Sequence, residues 1–400
     1  MKEYISREKY LKKIIPFVNK ELIKVLVGQR RVGKSYLMYQ IIDYIKTIEK
    51  EANIVYINKE LNEFENLKTF QNLYDYVKNK TVSEKKTYLF IDEIQNIENF
   101  ENALKSFAAE GNYDIYCTGS NADLLSGELS TYLSGRYIEI NVNPLSYKEF
   151  LYFHKLKNET KSVDKYLKYG GLPYLKNLKL TDDIVFDYLR NISQAILFKD
   201  IISRYNIRNV EFLERLVTFI AKQTGTIFSA RNIVKFLKSQ NIKISINSVL
   251  DYLNYLKTAF FISKANRMDI TGRKIFEVGE KYYFTDIGIR NAIAGFSPFE
   301  MNLILENVVY NHLLYNGYKI MVGQIDNKEI DFVAEKNNEK TYIQVALRIT
   351  DAETVKREFG NLLEINDNYP KYVVTLDEYT GTSYNGIIHK PLRIFLSEFQ

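Results

Sequence analysis

Residues 28–35 are the feature that most restricts how this chain can fold. They read Gly-Gln-Arg-Arg-Val-Gly-Lys-Ser, which satisfies every fixed position of the phosphate-binding pattern G-x-x-x-x-G-K-[ST]. Residues 23–27, which precede this loop, have the pattern of a strand, and residues 36–42 have that of a helix. A strand, a glycine-containing turn and a helix in this order predict an α/β domain built on a parallel sheet.

The residues of this loop predict ATP and Mg²⁺ as ligands. Gly28 and Gly33 let the backbone turn its N–H groups toward phosphate oxygens, and the start of the helix adds a favourable dipole. Lys34 is expected to reach the β- and γ-phosphates, and the Ser35 hydroxyl to bind Mg²⁺. The residues predicted to bind the nucleotide are Gly28, Arg31, Val32, Gly33, Lys34, Ser35, Tyr36 and Ser120.

Two acids, Asp92 and Glu93, follow a second apolar run at 87–91. In a doubly wound parallel sheet, ligands bind at the carboxyl ends of the strands. Asp92 is therefore predicted to lie beside the loop and to hold Mg²⁺ through water. Glu93 is predicted to polarise the attacking water as a general base. The alternative, a buried strand with a solvated acidic end, is less consistent with the loop upstream.

Polar residues also follow a further predicted strand at 113–118. Ser120 and Asn121 could sense the γ-phosphate or orient water, or they could simply form a turn. Arg136 precedes another predicted strand, 137–142, at the far edge of the nucleotide domain. It could reach the phosphates of a neighbouring subunit, or it could be one of many exposed cations.

The order of these segments resembles that of the AAA+ superfamily of ATPases. The similarity covers nearly the whole chain, and two of its segments are similar to a prokaryotic branch that joins an AAA+ module to a C-terminal domain of unknown function. The matching segments are 25–35, 89–95, 118–120 and 133–136, with 141–146 and 170–173 typical of that branch.

The resemblance implies ATP hydrolysis in a homo-oligomer. Ser120 and Asn121 fall at the sensor 1 position of the family, and Arg136 falls at the arginine-finger position. The predicted catalytic residues are Glu93, Lys34, Arg136 and Asn121, and the predicted metal ligands are Ser35 and Asp92.

The middle of the chain predicts two helical segments. Residues 147–206 carry apolar side chains at helical spacing, which indicates a small lid beside the nucleotide. Residues 210–285 read as three helices and two strands, the pattern of a winged helix-turn-helix. Its third helix is poor in cations. Such a domain could bind DNA, or it could serve as a spacer or a protein contact. The wing cations better placed for phosphates are Lys264, Arg267, Arg273 and Lys274.

The segment after residue 299 resembles the restriction-endonuclease-like, or PD-(D/E)xK, nuclease core. Glu306 on a helix and Asp331 on a strand would there hold a divalent cation and a nucleophilic water. Residues 344–346 read Gln-Val-Ala, so the second acid is an amide and the lysine of that motif is absent. Arg348 shares the strand face, but a guanidinium does not replace a titratable amine. These residues predict a degenerate core that binds rather than cuts.

Composition excludes several classes of protein. The single cysteine, Cys117, excludes an intrachain disulfide and argues against a structural zinc site. The chain starts with charged residues, and no apolar run approaches the ~18 residues of a membrane span, so we expect a cytoplasmic protein without a membrane partner. A net charge of +6 permits DNA binding but does not require it.

We therefore predict an AAA+ nucleotide domain at 1–145, a helical lid at 146–207, a winged helix at 208–298 and a degenerate nuclease-like domain at 299–400. The expected function is ATP hydrolysis coupled to conformational work on DNA or a DNA-bound complex. The alternatives are an ATP-dependent switch that acts on a protein partner and, less expected, a metal-dependent nuclease.

Overall fold

The computed structural model describes residues 4–83, 85–122, 135–239, 242, 244–272, 279–349, 352–376 and 383–399. The chain divides into two compact units, Met1–Asn143 with Thr258–Phe260, and Pro144–Lys257 with Phe261–Gln400. Two of the predicted wing cations, Arg273 and Lys274, lie outside the described residues, as do the first two residues of segment 133–136.

The first unit is a parallel sheet with helices. Its elements in chain order are α1 (Glu8–Ile14), β1 (Ile23–Val27), α2 (Lys34–Ile48), β2 (Asn53–Asn58), α3 (Phe70–Lys80), β3 (Thr87–Asp92), α4 (Phe100–Glu110), β4 (Tyr113–Gly119) and β5 (Tyr137–Asn141). The strand order is β2-β3-β4-β1-β5, and every neighbouring pair is parallel. The predicted α/β fold with a parallel P-loop sheet is confirmed.

The burial of these strands explains their apolar sequences. Every residue of β1, β3 and β4 is buried, as expected for strands whose two faces are both covered. The parallel pairing brings the carboxyl ends of these three strands to one edge of the sheet. Asp92 is the last residue of β3, and the phosphate-binding loop, Glu93 and Ser120 directly follow the ends of their strands.

The second unit contains helices and a mixed sheet. Its elements are α5 (Tyr147–His154), α6 (Thr160–Tyr169), α7 (Asp182–Ala195), α8 (Val210–Lys222), β6 (Ile227–Phe228), α9 (Ala230–Ser239), α10 (Ile246–Thr258), β7 (Ile262–Asp269), β8 (Glu280–Phe284), α11 (Ile287–Ala294), α12 (Met301–Tyr315), β9 (Lys319–Ile325), β10 (Lys328–Lys336), β11 (Glu339–Ala346), α13 (Ala352–Leu363), β12 (Lys371–Thr375), β13 (Ile388–Pro391) and α14 (Leu392–Glu398).

One eight-stranded sheet runs through this second unit in the order β13-β12-β11-β10-β9-β7-β8-β6. Strand β7 pairs with β8 in antiparallel fashion and with β9 in parallel, from Asn266 opposite Met321 to Asp269 opposite Gln324. The strands predicted for the winged helix and those predicted for the nuclease-like core therefore belong to a single sheet.

Strand β7 begins three residues later than the pattern at 259–263 predicts. Phe260 has a positive φ of 53°, and the N–H of Phe261 donates to the carbonyl of Leu256 at 2.9 Å. This turn completes the end of α10, so extended backbone starts only at Ile262.

Candidate nucleotide-binding site

The phosphate-binding loop connects β1 to α2 and needs its glycines for two different reasons. Gly33 lies in the left-handed region, with φ of 97° at the N-cap of α2. Gly28 has φ of 149°, and a Cβ there would lie 2.2 Å from the carbonyl oxygen of Val142. The loop therefore starts in close backbone contact with the residue that follows β5, which excludes any side chain at Gly28.

Lys34 is buried within this loop, with 4% of its surface exposed. Its ammonium donates to the carbonyls of Gly28 at 2.8 Å and Gln29 at 3.1 Å. The same nitrogen lies 4.0 Å from Oε1 of Glu93. The loop thus holds a buried positive charge beside one acid, in the place where a phosphate would be neutralised.

Asp92 ends β3 and is almost fully buried. Its Oδ1 accepts a hydrogen bond from the Thr118 hydroxyl, and its Oδ2 accepts one from the Tyr56 hydroxyl at 3.1 Å. Burial raises the pKa of Asp92, and hydrogen bonds from Ser35, Thr118 and Tyr56 oppose that rise.

Ser35 and Asp92 suit a Mg²⁺ ion. Both offer hard oxygen atoms, and a hydrogen bond already joins the two side chains. A divalent cation beside Asp92 would stabilise the ionised carboxylate that burial disfavours. These two residues would hold the metal, Ser35 directly and Asp92 through water.

Glu93 adopts the left-handed conformation, with φ of 57° and ψ of 52°. Its N–H donates to the Thr118 hydroxyl at 3.0 Å, and its Oε2 accepts hydrogen bonds from Ser120 at 3.3 Å and from the Gln95 amide. A non-glycine residue in this conformation costs energy and persists only where its surroundings hold it. The left-handed turn directs Glu93 away from the strand and toward Lys34.

The charge state of Glu93 follows from the same contacts. Burial alone raises the pKa of its carboxyl, but Lys34 and Arg30, with hydrogen bonds from Gln95 and Ser120, bring the pKa below its ordinary value. Glu93 is therefore ionised at neutral pH, the form that accepts a proton from water.

The other predicted site residues occupy different surroundings. Asn121 is buried next to Ser120, whereas Arg31 is exposed with φ of 71°. Tyr36 is 47% exposed on the first turn of α2. Arg136 is exposed, and its carbonyl accepts a hydrogen bond from the N–H of Ile23 at 2.9 Å. That contact places Arg136 at the amino end of the sheet, opposite the loop of its own chain.

Several residues of this site were not predicted from sequence. They are Tyr56, Thr118 and Arg7. The guanidinium of Arg7 donates to the carbonyls of Val32 at 3.1 Å and Asn143 at 3.0 Å, so it joins the loop to the segment that follows β5. The partners of Arg7 lie 25 and 136 positions away, which leaves no local signal in the sequence.

The acids predicted in the nuclease-like segment surround a lysine. Lys281 on β8 lies 2.7 Å from Glu306, 2.7 Å from Glu329 and 3.8 Å from Asp331. The N–H of Val345 donates to Oδ2 of Asp331 at 2.8 Å. The lysine that is absent at position 346 of the motif is therefore not found within this segment, but β8 brings a lysine among its acids from outside the motif.

The environment of Lys281 indicates a structural cation rather than a catalytic one. Burial lowers the pKa of Lys281, but Glu306, Asp331 and Glu329 together raise it above its ordinary value. Burial and the charge of Glu306 raise the pKa of Asp331. Within the described ranges, no three His, Cys, Asp or Glu residues are grouped so that they could hold a metal ion.

We therefore expect the purified protein to leave linear, nicked and single-stranded DNA intact in the presence of Mg²⁺ or Mn²⁺. The reason is that a protonated lysine and a backbone N–H already occupy the carboxylates that a metal would need. Gel electrophoresis after prolonged incubation measures this directly. Metal-dependent cleavage that disappears in Asp331→Ala, but remains in the surface variant Glu335→Gln, would show that the domain is a nuclease.

Comparison with known proteins agrees with the geometry of the first unit. The model of an AAA domain family matches residues 20–151, and that of a domain of unknown function (DUF8612) matches residues 160–300. The Walker-type ATPase PABY2304 of Pyrococcus abyssi is similar over 72% of this chain and 96% of its own, with a TM-score of 0.49 and 16% identity, too low to support a functional argument. No described helix is both long and apolar enough to span a membrane.

Two relatives match over most of their length. An uncharacterised protein of Haemophilus influenzae is 38% identical over 394 residues, which cover 96% of this chain and 97% of that protein. Protein MJ1544 of Methanocaldococcus jannaschii, also uncharacterised, is 30% identical over 83% of this chain and 73% of its own length. The chain therefore belongs to the same family as these two proteins, and its first unit contains an AAA domain.

Proposed function

We propose that this protein is a cytoplasmic, oligomeric ATPase that uses Mg²⁺-dependent hydrolysis of ATP for conformational work on DNA or on a DNA-bound complex. The observation that supports hydrolysis most directly is the position of Glu93. Its carboxylate is buried, ionised and 4.0 Å from the ammonium of Lys34. A protein that only bound ATP would not need a strained acid at this point.

Each residue has a distinct role in the proposed reaction. Lys34 neutralises the β- and γ-phosphates, and Ser35 and Asp92 hold Mg²⁺, which when bound screens the phosphate charge. Glu93 accepts the proton of the attacking water, while Ser120 orients its carboxylate through the 3.3 Å hydrogen bond. We expect Lys34→Ala to lose tight ATP binding, because the buried positive charge disappears.

The DNA part of the proposal is supported by helix α9. Arg231, Lys235 and Lys238 are all exposed on it. Their spacing of four and three residues places them on one face of the helix. By contrast, two predicted wing cations have partners within the protein: Lys264 pairs with Glu280 at 3.2 Å, and Arg267 donates to Gln324. Phosphate contacts are therefore expected from α9 rather than from β7.

A second candidate function, a switch that controls a protein partner, is favoured by helix α10. Its exposed residues include Leu250, which is 50% exposed, together with Asn247, Asp251 and Asn254. An acid is repelled by a phosphate backbone, and an exposed apolar side chain gains nothing from one, whereas Leu250 could be buried against a protein partner.

The two functions predict different responses to DNA. If DNA is the target, ATP turnover rises when duplex or branched DNA is added, and DNA affinity falls with salt at a log–log slope of about −0.9 per phosphate neutralised. We expect the triple variant of Arg231, Lys235 and Lys238 to alanine to weaken binding to all sequences alike and to flatten that slope. Fluorescence anisotropy of labelled DNA at several salt concentrations measures both effects.

A matched control removes the same number of charges elsewhere on the second unit, by changing the exposed residues Lys157, Lys161 and Lys176 to alanine. It should bind DNA like the unmodified protein. If the unmodified protein does not bind DNA at low ionic strength, with or without ATP, the switch that acts on a protein partner replaces the DNA proposal.

A further inference from the structure

Three tyrosines form a row between the phosphate-binding helix and the acid that ends β3. Tyr36 and Tyr39 lie on α2, with ring centroids 6.0 Å apart and planes perpendicular. The ring of Tyr39 is 5.3 Å from that of Tyr56 on β2. Tyr36 is exposed next to Ser35, whereas Tyr56 reaches Asp92 in the interior. The row therefore connects the start of α2 with the proposed metal-binding carboxylate.

The hydroxyl of Tyr56 is placed to fix one oxygen of Asp92. It donates to Oδ2 at 3.1 Å, and Thr118 donates to Oδ1. Donors at both oxygens leave the carboxylate little freedom to rotate. A hydrogen bond to a charged acceptor is stronger than one between neutral groups, so the loss of either donor weakens this constraint.

Tyr39 extends the contact to helix α2. Its hydroxyl lies 3.3 Å from that of Tyr56. Since a phenol carries one proton, Tyr56 can donate to Asp92 and still accept a hydrogen bond from Tyr39. The two hydroxyls then form a chain from α2 to Asp92, in which each bond polarises the next.

We propose that Tyr56, supported by Tyr39, is a positioning residue that holds Asp92 in the orientation required for Mg²⁺. This inference rests on the proposed ATPase function and adds to it a residue outside the phosphate loop and the acid pair. Removal of a group that orients a metal ligand typically lowers the affinity for the metal by ~10–100-fold. Within the described part of the chain, the hydroxyl of Tyr56 bonds to Asp92 and Tyr39 rather than to the loop glycines or Lys34, so nucleotide binding without metal should not depend on it.

The test separates metal binding from nucleotide binding. Binding of a fluorescent ATP analogue is measured while Mg²⁺ is titrated, and again in excess EDTA. We expect Tyr56→Phe to raise the Mg²⁺ concentration at half-saturation by ~10-fold. Binding in EDTA should remain that of the unmodified protein. Tyr39→Phe should shift the Mg²⁺ midpoint in the same direction, by a smaller factor.

Tyr74→Phe is the matched control, because its hydroxyl donates to the carboxylate of Glu110 at 2.9 Å on the surface of the same unit. It should leave the Mg²⁺ midpoint unchanged. A purely structural role for Tyr56 would lower the melting temperature without moving that midpoint, and this result would overturn the inference. If Tyr56→Phe does not fold, Tyr39→Phe serves as the test, and an unchanged Mg²⁺ midpoint in that variant would also overturn the inference. If the unmodified protein shows no response to Mg²⁺, the proposed function fails instead.

Discussion

Replacing Arg136 with alanine is expected to lower ATP turnover by ~10³-fold or more while ATP binding remains intact, because an arginine finger stabilises charge that develops only in the transition state. An arginine finger at this position can act only on the site of a neighbouring subunit. It precedes β5 at the amino end of the sheet, whereas its own phosphate loop follows the carboxyl end of β1. The five residues of β1 span about 16 Å between these two ends.

Mixing experiments test this role in trans. Arg136→Ala supplies an intact Glu93, and Glu93→Gln supplies an intact Arg136, so mixed oligomers should recover part of the activity that each variant lacks. Lys20→Ala removes an exposed cation near the start of β1 and serves as the control, with unchanged turnover expected. Full activity of a strictly monomeric protein at every concentration would contradict the arginine-finger role.

The nucleotide site shows which parts of a site can be predicted from a sequence. The loop at 28–35 and the acids at 92–93 were found because each belongs to one contiguous segment with a fixed spacing. The parallel pairing of β3 with β4 then brings Ser120 to within 3.3 Å of Glu93, although 27 positions separate them. The general rule for parallel sheets places both residues at the same edge of the sheet, but the hydrogen bond between them was not predicted.

Residues that act through distant partners could not be found in this way. Tyr56 is 36 positions from Asp92. Tyrosine is common in half-buried strands, so its presence at position 56 does not by itself indicate a site residue. Lys281 is 25 positions from Glu306 and 50 from Asp331, and it lies outside the nuclease-like motif. Only the tertiary structure shows that these side chains meet.

The middle and C-terminal segments illustrate a second limit. The helices of 210–258 and the strands of 262–284 have local patterns typical of a winged helix. The parallel pairing of β7 with β9 has no such local signature, because 50 or more residues lie between the paired positions. Periodicity therefore predicted the elements but not the sheet that joins them.

Replacing Glu93 with glutamine is expected to slow ATP turnover by ~10²-fold or more, the usual contribution of a positioned general base. The amide keeps the size of the side chain but cannot accept a proton from water. ATP binding should persist, since Lys34 keeps its contacts with the carbonyls of Gly28 and Gln29 and loses only the carboxylate 4.0 Å away. Release of phosphate in a single turnover, together with equilibrium binding of a fluorescent ATP analogue, separates the two effects.

Glu110→Gln is the matched control for this change. Glu110 also accepts hydrogen bonds within the first unit, from Tyr74 at 2.9 Å and Lys78 at 3.0 Å, but it ends α4 on the surface. Its variant should hydrolyse ATP at the unmodified rate. If Glu93→Gln also turns over ATP at that rate, Glu93 is not the base, and its left-handed backbone and lowered pKa then serve only to pair with Lys34. A fall in turnover that is accompanied by an equal fall in ATP binding would lead to the same conclusion, because a base acts on the reaction and not on the affinity.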